Sequence, residues 1–326
     1  MDNGINVGIW AWLAFNAGVI ALLAIDLGVF NRKAHAPSVR EAAIWSATWI
    51  SLSMIFAAGI FVFGGSEPGL AFITGYLIEY SLSVDNIFVF VLIFGFFAVP
   101  AQYQHRVLFW GILGALIMRG IMIGAGSALL HEFHWVIYIF GGILVLSGVR
   151  MATQGEHTIE MEKNIAVRIF RRFFRVTSDF REQRFFVRED GLLYATPLVL
   201  VLLVVETTDV IFAVDSIPAI FSVTEDPFLV YTSNVCAILG LRSLYFLLAG
   251  VVDKFHYLKP ALSLILIWVG TKMLISEVYK VPTTLSLAII AGVLACAVAA
   301  SLLLPVSRKH LEEEHPELLV QPQESA

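Results

Sequence analysis

Nine stretches of this 326-residue chain are mostly apolar and about 20 residues long or more. They lie near 7–30, 41–63, 69–98, 107–130, 135–152, 192–221, 228–251, 260–279 and 283–305. A hydrocarbon layer of about 30 Å needs about 20 such residues per helical crossing. Charged residues make up 14% of the chain and hydrophobic ones 58%, whereas a soluble domain carries about 25% charged residues. That is too little charge to cover a water-facing surface, so a disordered chain and a soluble enzyme are both excluded. The expectation is an all-α polytopic membrane protein with nine transmembrane helices. The first stretch opens with Asp2 instead of a basic segment, which predicts a retained helix and not a cleaved signal peptide. The net charge is −5, so no basic field points to nucleic acid. Cys236 and Cys296 both lie in apolar runs, spaced neither as a disulfide framework nor as a metal finger.

Lysine and arginine orient the chain, because cytoplasmic loops are enriched in them. With the N-terminus outside, 17 of the 21 fall inside, Lys280 alone falls outside, and Arg119, Arg242 and Lys272 lie within spans. Adding or removing a middle helix would spoil that split, so the expected topology is N-out/C-in. Residues 1–306 then form one transmembrane domain, and the polar, proline-punctuated 307–326 a disordered cytoplasmic tail. Lys272 is expected to snorkel or to pair.

The loops carry little catalytic chemistry. All eight histidines lie outside the spans or at their ends. His131 and His134 flank Glu132 in a short outer loop, which is either a solvated turn or a loose attraction for a cation. The long inner loop, 153–191, is more distinctive. Ile165, Ile169, Phe170, Phe173 and Phe174 recur at helical spacing, opposite Arg168, Arg171, Arg172 and Arg175. Such a helix suits the inner leaflet, with the basic 163–188 region on anionic lipids. The alternative is packing across the cytoplasmic ends of the bundle.

Charge inside the spans is costly. An ionised side chain at the bilayer centre costs about 2.5–3.5 kcal/mol, and such residues usually mark ion or proton pathways. The third stretch holds Glu79, Asp85 and Asn86; the sixth holds Glu206, Asp209 and Asp215. Five carboxylates amount to on the order of 15 kcal/mol, which calls for a cation. At about 100° per residue, Glu79 and Asn86 share a face, Glu206 and Asp209 are neighbours, and Asp215 lies opposite Glu206. Straight helices could not aim all of them at one point. Both stretches are longer than one crossing needs, and Pro197 and Pro218 bracket the sixth. The expectation is that each helix is broken near its acidic cluster, freeing carbonyls as ligands.

The two segments also look like copies. Asp85-Asn-Ile-Phe-Val-Phe aligns with Asp209-Val-Ile-Phe-Ala-Val, and Ile112-Leu-Gly114 with Ile238-Leu-Gly240. Arg119 and Arg242 follow, and then Gly148-Val-Arg-Met151 matches Gly270-Thr-Lys-Met273. Helices 3–5 thus repeat as helices 6–8. Three crossings reverse direction, so the second copy is inverted, with a midplane site expected between the copies.

Carboxylates, the Asn86 amide and the hydroxyls of Ser81, Ser83, Thr207, Thr208 and Ser216 form a hard oxygen set without imidazole or thiolate. This suits Mg²⁺, Ca²⁺ or Mn²⁺. The candidate metal ligands are Glu79, Asp85, Asn86, Glu206, Asp209 and Asp215, with Arg119 and Arg242 balancing charge or locking the bundle as ion pairs. Five carboxylates and two arginines sum to −3; a divalent ion brings this to −1, and one proton closes the gap. Proton-for-metal exchange follows as an expectation. No HExxH, GxSxG or P-loop signature is present, so neither an enzyme nor a cofactor is expected.

LIEYSLSVDNIFVF (77–90), LLYATPL (193–199), ETTDVIFAVDSIPAIF (206–221) and TSNVCAILGLRSLYFLLAG (232–250) resemble the TerC family of integral membrane proteins, most closely its Alx-type members. The resemblance covers helices 2 to 9. It implies a fold of the LysE-like transporter group, an inner-membrane location and efflux of Mn²⁺ as the transported ion. By position, Glu79, Asp85 and Asn86 match one family motif, and Glu206, Asp209 and Asp215 the other. Exchange of Ca²⁺ or another divalent cation, or a non-transporting role in membrane assembly, stays open beside it.

Overall fold

The computed structural model describes residues 7–25, 38–133, 135–153, 165–189, 192–249, 257–276, 278–279 and 281–303. Helices occupy most of them: α1 (Ile9–Ile25), α2 (Val39–Gly64), α3 (Ser66–Phe96), α4 (Ala101–Glu132), α5 (Val136–Thr153), α6 (Ile165–Phe173), α7 (Pro197–Phe221), α8 (Pro227–Leu239), α9 (Leu241–Leu248), α10 (Leu258–Leu274) and α11 (Thr283–Leu303). Among the described residues, seven spans are long and apolar enough to cross a bilayer: α2, α3, α4, α5, α7, α8 together with α9, and α11. α1 and α10 are shorter, 17 residues each. His134 and the tail 307–326 lie outside the described residues.

Local chemistry sets the helix ends. Ser38 caps α2 by accepting the Glu41 N–H at 3.2 Å, in an S-x-x-E sequence suited to a capping box. Asp226 accepts the N–H groups of Phe228 and Leu229 at the start of α8, with Pro227 at its first position. Between α2 and α3 the chain turns at Gly65, whose φ of 94° favours glycine.

Three expectations are corrected. The sixth apolar stretch does not begin as a helix: Leu192–Ala195 is strand β2, paired antiparallel with β1 (Phe186–Glu189), and α7 starts only at Pro197. Among the described residues the fold is therefore helical with one small two-stranded antiparallel sheet. Asp190-Gly191, a pair hairpins favour, separates the strands in sequence. Second, neither acidic helix is broken, since α3 and α7 run without interruption. Pro218 falls in the last turn of α7, where its missing N–H weakens only the end of the helix. Third, the seventh stretch is not one continuous helix, since it divides at Gly240 into α8 and α9.

The amphipathic segment contracts to α6, which packs on α7. Val167 is buried and Phe170 half-buried there, while Ile169 and Phe173 remain exposed. Packing across the end of the bundle thus describes part of its apolar face.

Six helices form the body of the bundle. α3 packs on α8, α4 packs on α7, and α5 makes its main contact with α10. At that last contact the backbones touch. A Cβ on Gly270 would lie 2.7 Å from the Gly141 carbonyl oxygen, and one on Gly148 would lie 2.9 Å from that of Ser263. Ser263 Oγ also donates to the Gly148 carbonyl at 2.7 Å. Around this body, α2 covers α3 and α9, and α11 covers α3 and α10. α1 lies on α8 through Trp12 and Phe15, with Tyr231 donating its hydroxyl to Asn16 at 2.7 Å.

Candidate functional site

Arg119 sits near the middle of α4 and is 0% exposed. Its guanidinium is a planar fork that matches a carboxylate edge to edge, and here it takes Asp209 of α7 in that way. Nε donates to Oδ2 at 3.1 Å and Nη2 to Oδ1 at 2.8 Å. Nη1 turns to α3 and donates to Glu79 Oε1, itself fully buried. The same nitrogen reaches Ser216 Oγ at 3.2 Å and Asn234 Oδ1 at 3.4 Å. Asn234, on α8, closes the ring by donating Nδ2 to Glu79 Oε2 at 2.9 Å, and Ser83 Oγ lies 3.5 Å from Glu79 Oε1. Four helices, α3, α4, α7 and α8, thus meet at one polar centre near mid-helix. With one arginine and two carboxylates ionised, its formal charge is 1 − 2 = −1.

The other two carboxylates of α7 point elsewhere, as a straight helix requires. Glu206 lies one turn before Asp209 and is half-buried; its carboxylate occupies the space a Cβ on Gly114 would fill. Asp215 turns to α5, where Ser147 Oγ donates to Oδ1 at 2.7 Å. These directions explain why α7 needs no break. Its carboxylates are shared among α4 and α5 and do not converge on one point.

Asn86 is buried two turns along α3 from Glu79, on the same face. The Asp85 side chain lies outside the described residues, though its backbone continues α3. Arg242, 6% exposed at the start of α9, shares with Asp209 the wall of a cavity of about 10 Å³, about enough for one water. Lys272 is half-buried on α10, and His131 and Glu132 stand 4.0 Å apart in the open. Among the described residues, no three His, Cys, Asp or Glu side chains stand together as a metal cluster. The acidic pair is bridged by a guanidinium.

Sequence reasoning named Glu79, Asp209, Arg119, Ser83 and Ser216, but gave no role to Asn234. Its signal was present in Thr232-Ser-Asn234, a run of three polar residues inside an apolar span. Gly114 and Ser147 carried no comparable signal, because a small residue in a helix says nothing of which side chain leans on it.

Residues 64–309 match the family described as Integral membrane protein TerC family. The chain is 56% identical over 292 residues to a membrane protein of Myxococcus xanthus, STKORF319, covering 90% of this chain and 92% of that one. It is 49% identical over 292 residues to an Escherichia coli protein named as a candidate membrane-bound redox modulator, Alx, covering 87% and 91%. A membrane protein of Rickettsia bellii is 38% identical over 293 residues, covering 90% and 97%. No solved structure matches.

Proposed function

Because this chain belongs to the integral membrane protein TerC family, we propose that it exports a divalent cation, Mn²⁺, across the bacterial inner membrane in exchange for protons. The observation that carries the reading is the pairing of Glu79 and Asp209, from separate segments of the chain, on one buried guanidinium. Two carboxylates buried among apolar helices share one guanidinium, and the oxygen donors around them suit a hard ion. Arg119 is the resident counter-charge, and a transported cation takes its place on the carboxylates as the arginine moves aside. Glu206, Asp209 and Asp215 span about 13 Å of the α7 axis, ordered from the loop end towards the far end of the helix. They serve as successive stations, with Asn86, Asp85 and Arg242 completing the lining.

The architecture proposed with this function is nine crossings, N-out/C-in, with α3–α5 and α7–α10 as inverted repeats. Its support is an exchange of contacts. An offset of 122 carries Gly148 onto Gly270 and Gly141 onto Ser263, so the Gly148–Ser263 contact and the Gly270–Gly141 contact are each other's images. The packing of α3 on α8 likewise mirrors that of α7 on α4. A redox role, named for the Escherichia coli relative, has two free cysteines to draw on, buried Cys236 and exposed Cys296, on separate helices. Transport makes use of the polar centre and is preferred.

The test is ion flux into proteoliposomes under an imposed pH gradient, comparing Mn²⁺, Ca²⁺, Mg²⁺ and Zn²⁺. The expectation is Mn²⁺ flux that follows the gradient and is lost in Asp209→Asn and Glu79→Gln. Flux of Ca²⁺ in its place would reassign the cargo. No flux of any of the four ions from folded protein would favour an assembly role.

A further inference from the structure

Beyond the polar centre, the inner loop builds a second polar surface. α6 is anchored by Val167 and Phe170 against the start of α7, and Phe170 stacks on Phe174 at 4.6 Å. The chain that follows is clamped to β2: Ala195 N–H donates to the Arg175 carbonyl and Thr177 N–H to the Ala195 carbonyl, both at 2.9 Å. The row of residues from 171 to 177 is thereby held in one place.

Between that row, the C-terminal end of α3 and the first turn of α7 lies a cleft of about 1000 Å³. Arg171, Arg172 and Arg175 line it beside Phe96, Phe97 and Phe174, and no acidic residue does. Its three arginines form no ion pair among the described residues. Further along the loop, Arg181 and Arg184 do, with Glu189 and Glu182. The first turn of α7 adds the positive end of a helix dipole. Phe96 and Phe173 leave apolar surface at the same rim, 55% and 75% exposed.

We infer that this cleft binds the headgroup of an anionic phospholipid of the inner leaflet, its phosphate on Arg171, Arg172 and Arg175 and its acyl chains along the aromatic rim. Guanidinium forks suit phosphate oxygens, and a free phosphate would leave the aromatic wall without a partner. Three positive charges favour a lipid with two phosphates over one with a single phosphate. The inference stands apart from which ion is transported.

Native mass spectrometry of the full chain, released from mixed vesicles of phosphatidylcholine and phosphatidylglycerol, reads the site directly. Wild-type protein is expected to retain phosphatidylglycerol, and diphosphatidylglycerol more firmly when that is supplied. Arg172→Gln with Arg175→Gln is expected to lower occupancy roughly tenfold or more, and Arg171→Gln alone to lower it less. Arg184→Gln with Arg188→Gln should leave it unchanged. Melting in pure phosphatidylcholine vesicles checks that the variants fold. Equal retention in the cleft variants, equal loss in the Arg184/Arg188 control, or equal retention of phosphatidylcholine would each overturn the inference. So would competition by inorganic phosphate as effective as competition by the lipid.

Discussion

Where α5 meets α10 the chain has removed side chains; where α4 meets α3, α7 and α8 it has buried charged ones. At the first contact Gly141, Gly148 and Gly270 let backbones touch, as small residues do at close crossings in membranes. At the second, Arg119 fills the space between helices and is satisfied by partners from three of them. The glycine seam has no side chain to rearrange, so it acts as a fixed join. The arginine centre is held by hydrogen bonds from a guanidinium on a long flexible stem.

Substitutions can break this contrast at either end. The largest effect is expected from Arg119→Ala, which strands Glu79 and Asp209 without a counter-charge. Breaking a buried ion pair by removing one partner costs about 3–5 kcal/mol, to be read as a fall in unfolding free energy in lipid or detergent. A variant as stable as wild type would show that the carboxylates find another partner or are protonated. Next comes Gly270→Ala, whose new methyl would meet the Gly141 carbonyl and the Val145 amide. Overpacking of this kind costs about 1–3 kcal/mol; a silent result would mean that the seam can open.

Ser147→Ala removes the hydroxyl that donates to Asp215. One hydrogen bond is worth about 1 kcal/mol, so a modest drop in melting temperature is expected. If the α7 carboxylates are stations on one path, this variant should also slow flux. The smallest effect belongs to Gly142→Ala. Gly142 neighbours Gly141 in sequence, yet a Cβ there meets nothing within 4 Å. A change within about 0.5 kcal/mol is expected, and a loss as large as that of Gly270→Ala would mean that the seam has been placed on the wrong face of α5.

The positions of the helices were legible because lipid permits few solutions: apolar length and polar punctuation are enough to mark them. Glu79, Asp209 and Arg119 were legible as a set because charge inside an apolar run is costly and implies compensation. The partner of each carboxylate was not legible. The sequence suggested broken helices because all five acids were assumed to converge; unbroken α3 and α7 instead send Asp209 towards α4 and Asp215 towards α5. The pairing of Leu192–Ala195 with Phe186–Glu189 was not legible, since Leu192 to Ala195 is mostly apolar and only Thr196 separates it from α7.

What the chain alone determined is its solvent and where its costly charges lie: a polytopic helical bundle with acidic residues inside two of its apolar stretches. These depend on summed composition along the chain, which needs no knowledge of neighbours. Only the tertiary structure decided that Asn234 joins Arg119, that Gly114 makes room for Glu206, and that three loop arginines share one cleft with the end of α3. Each of those depends on which faces of different helices meet, a property of helix rotation and packing that no single stretch of sequence contains.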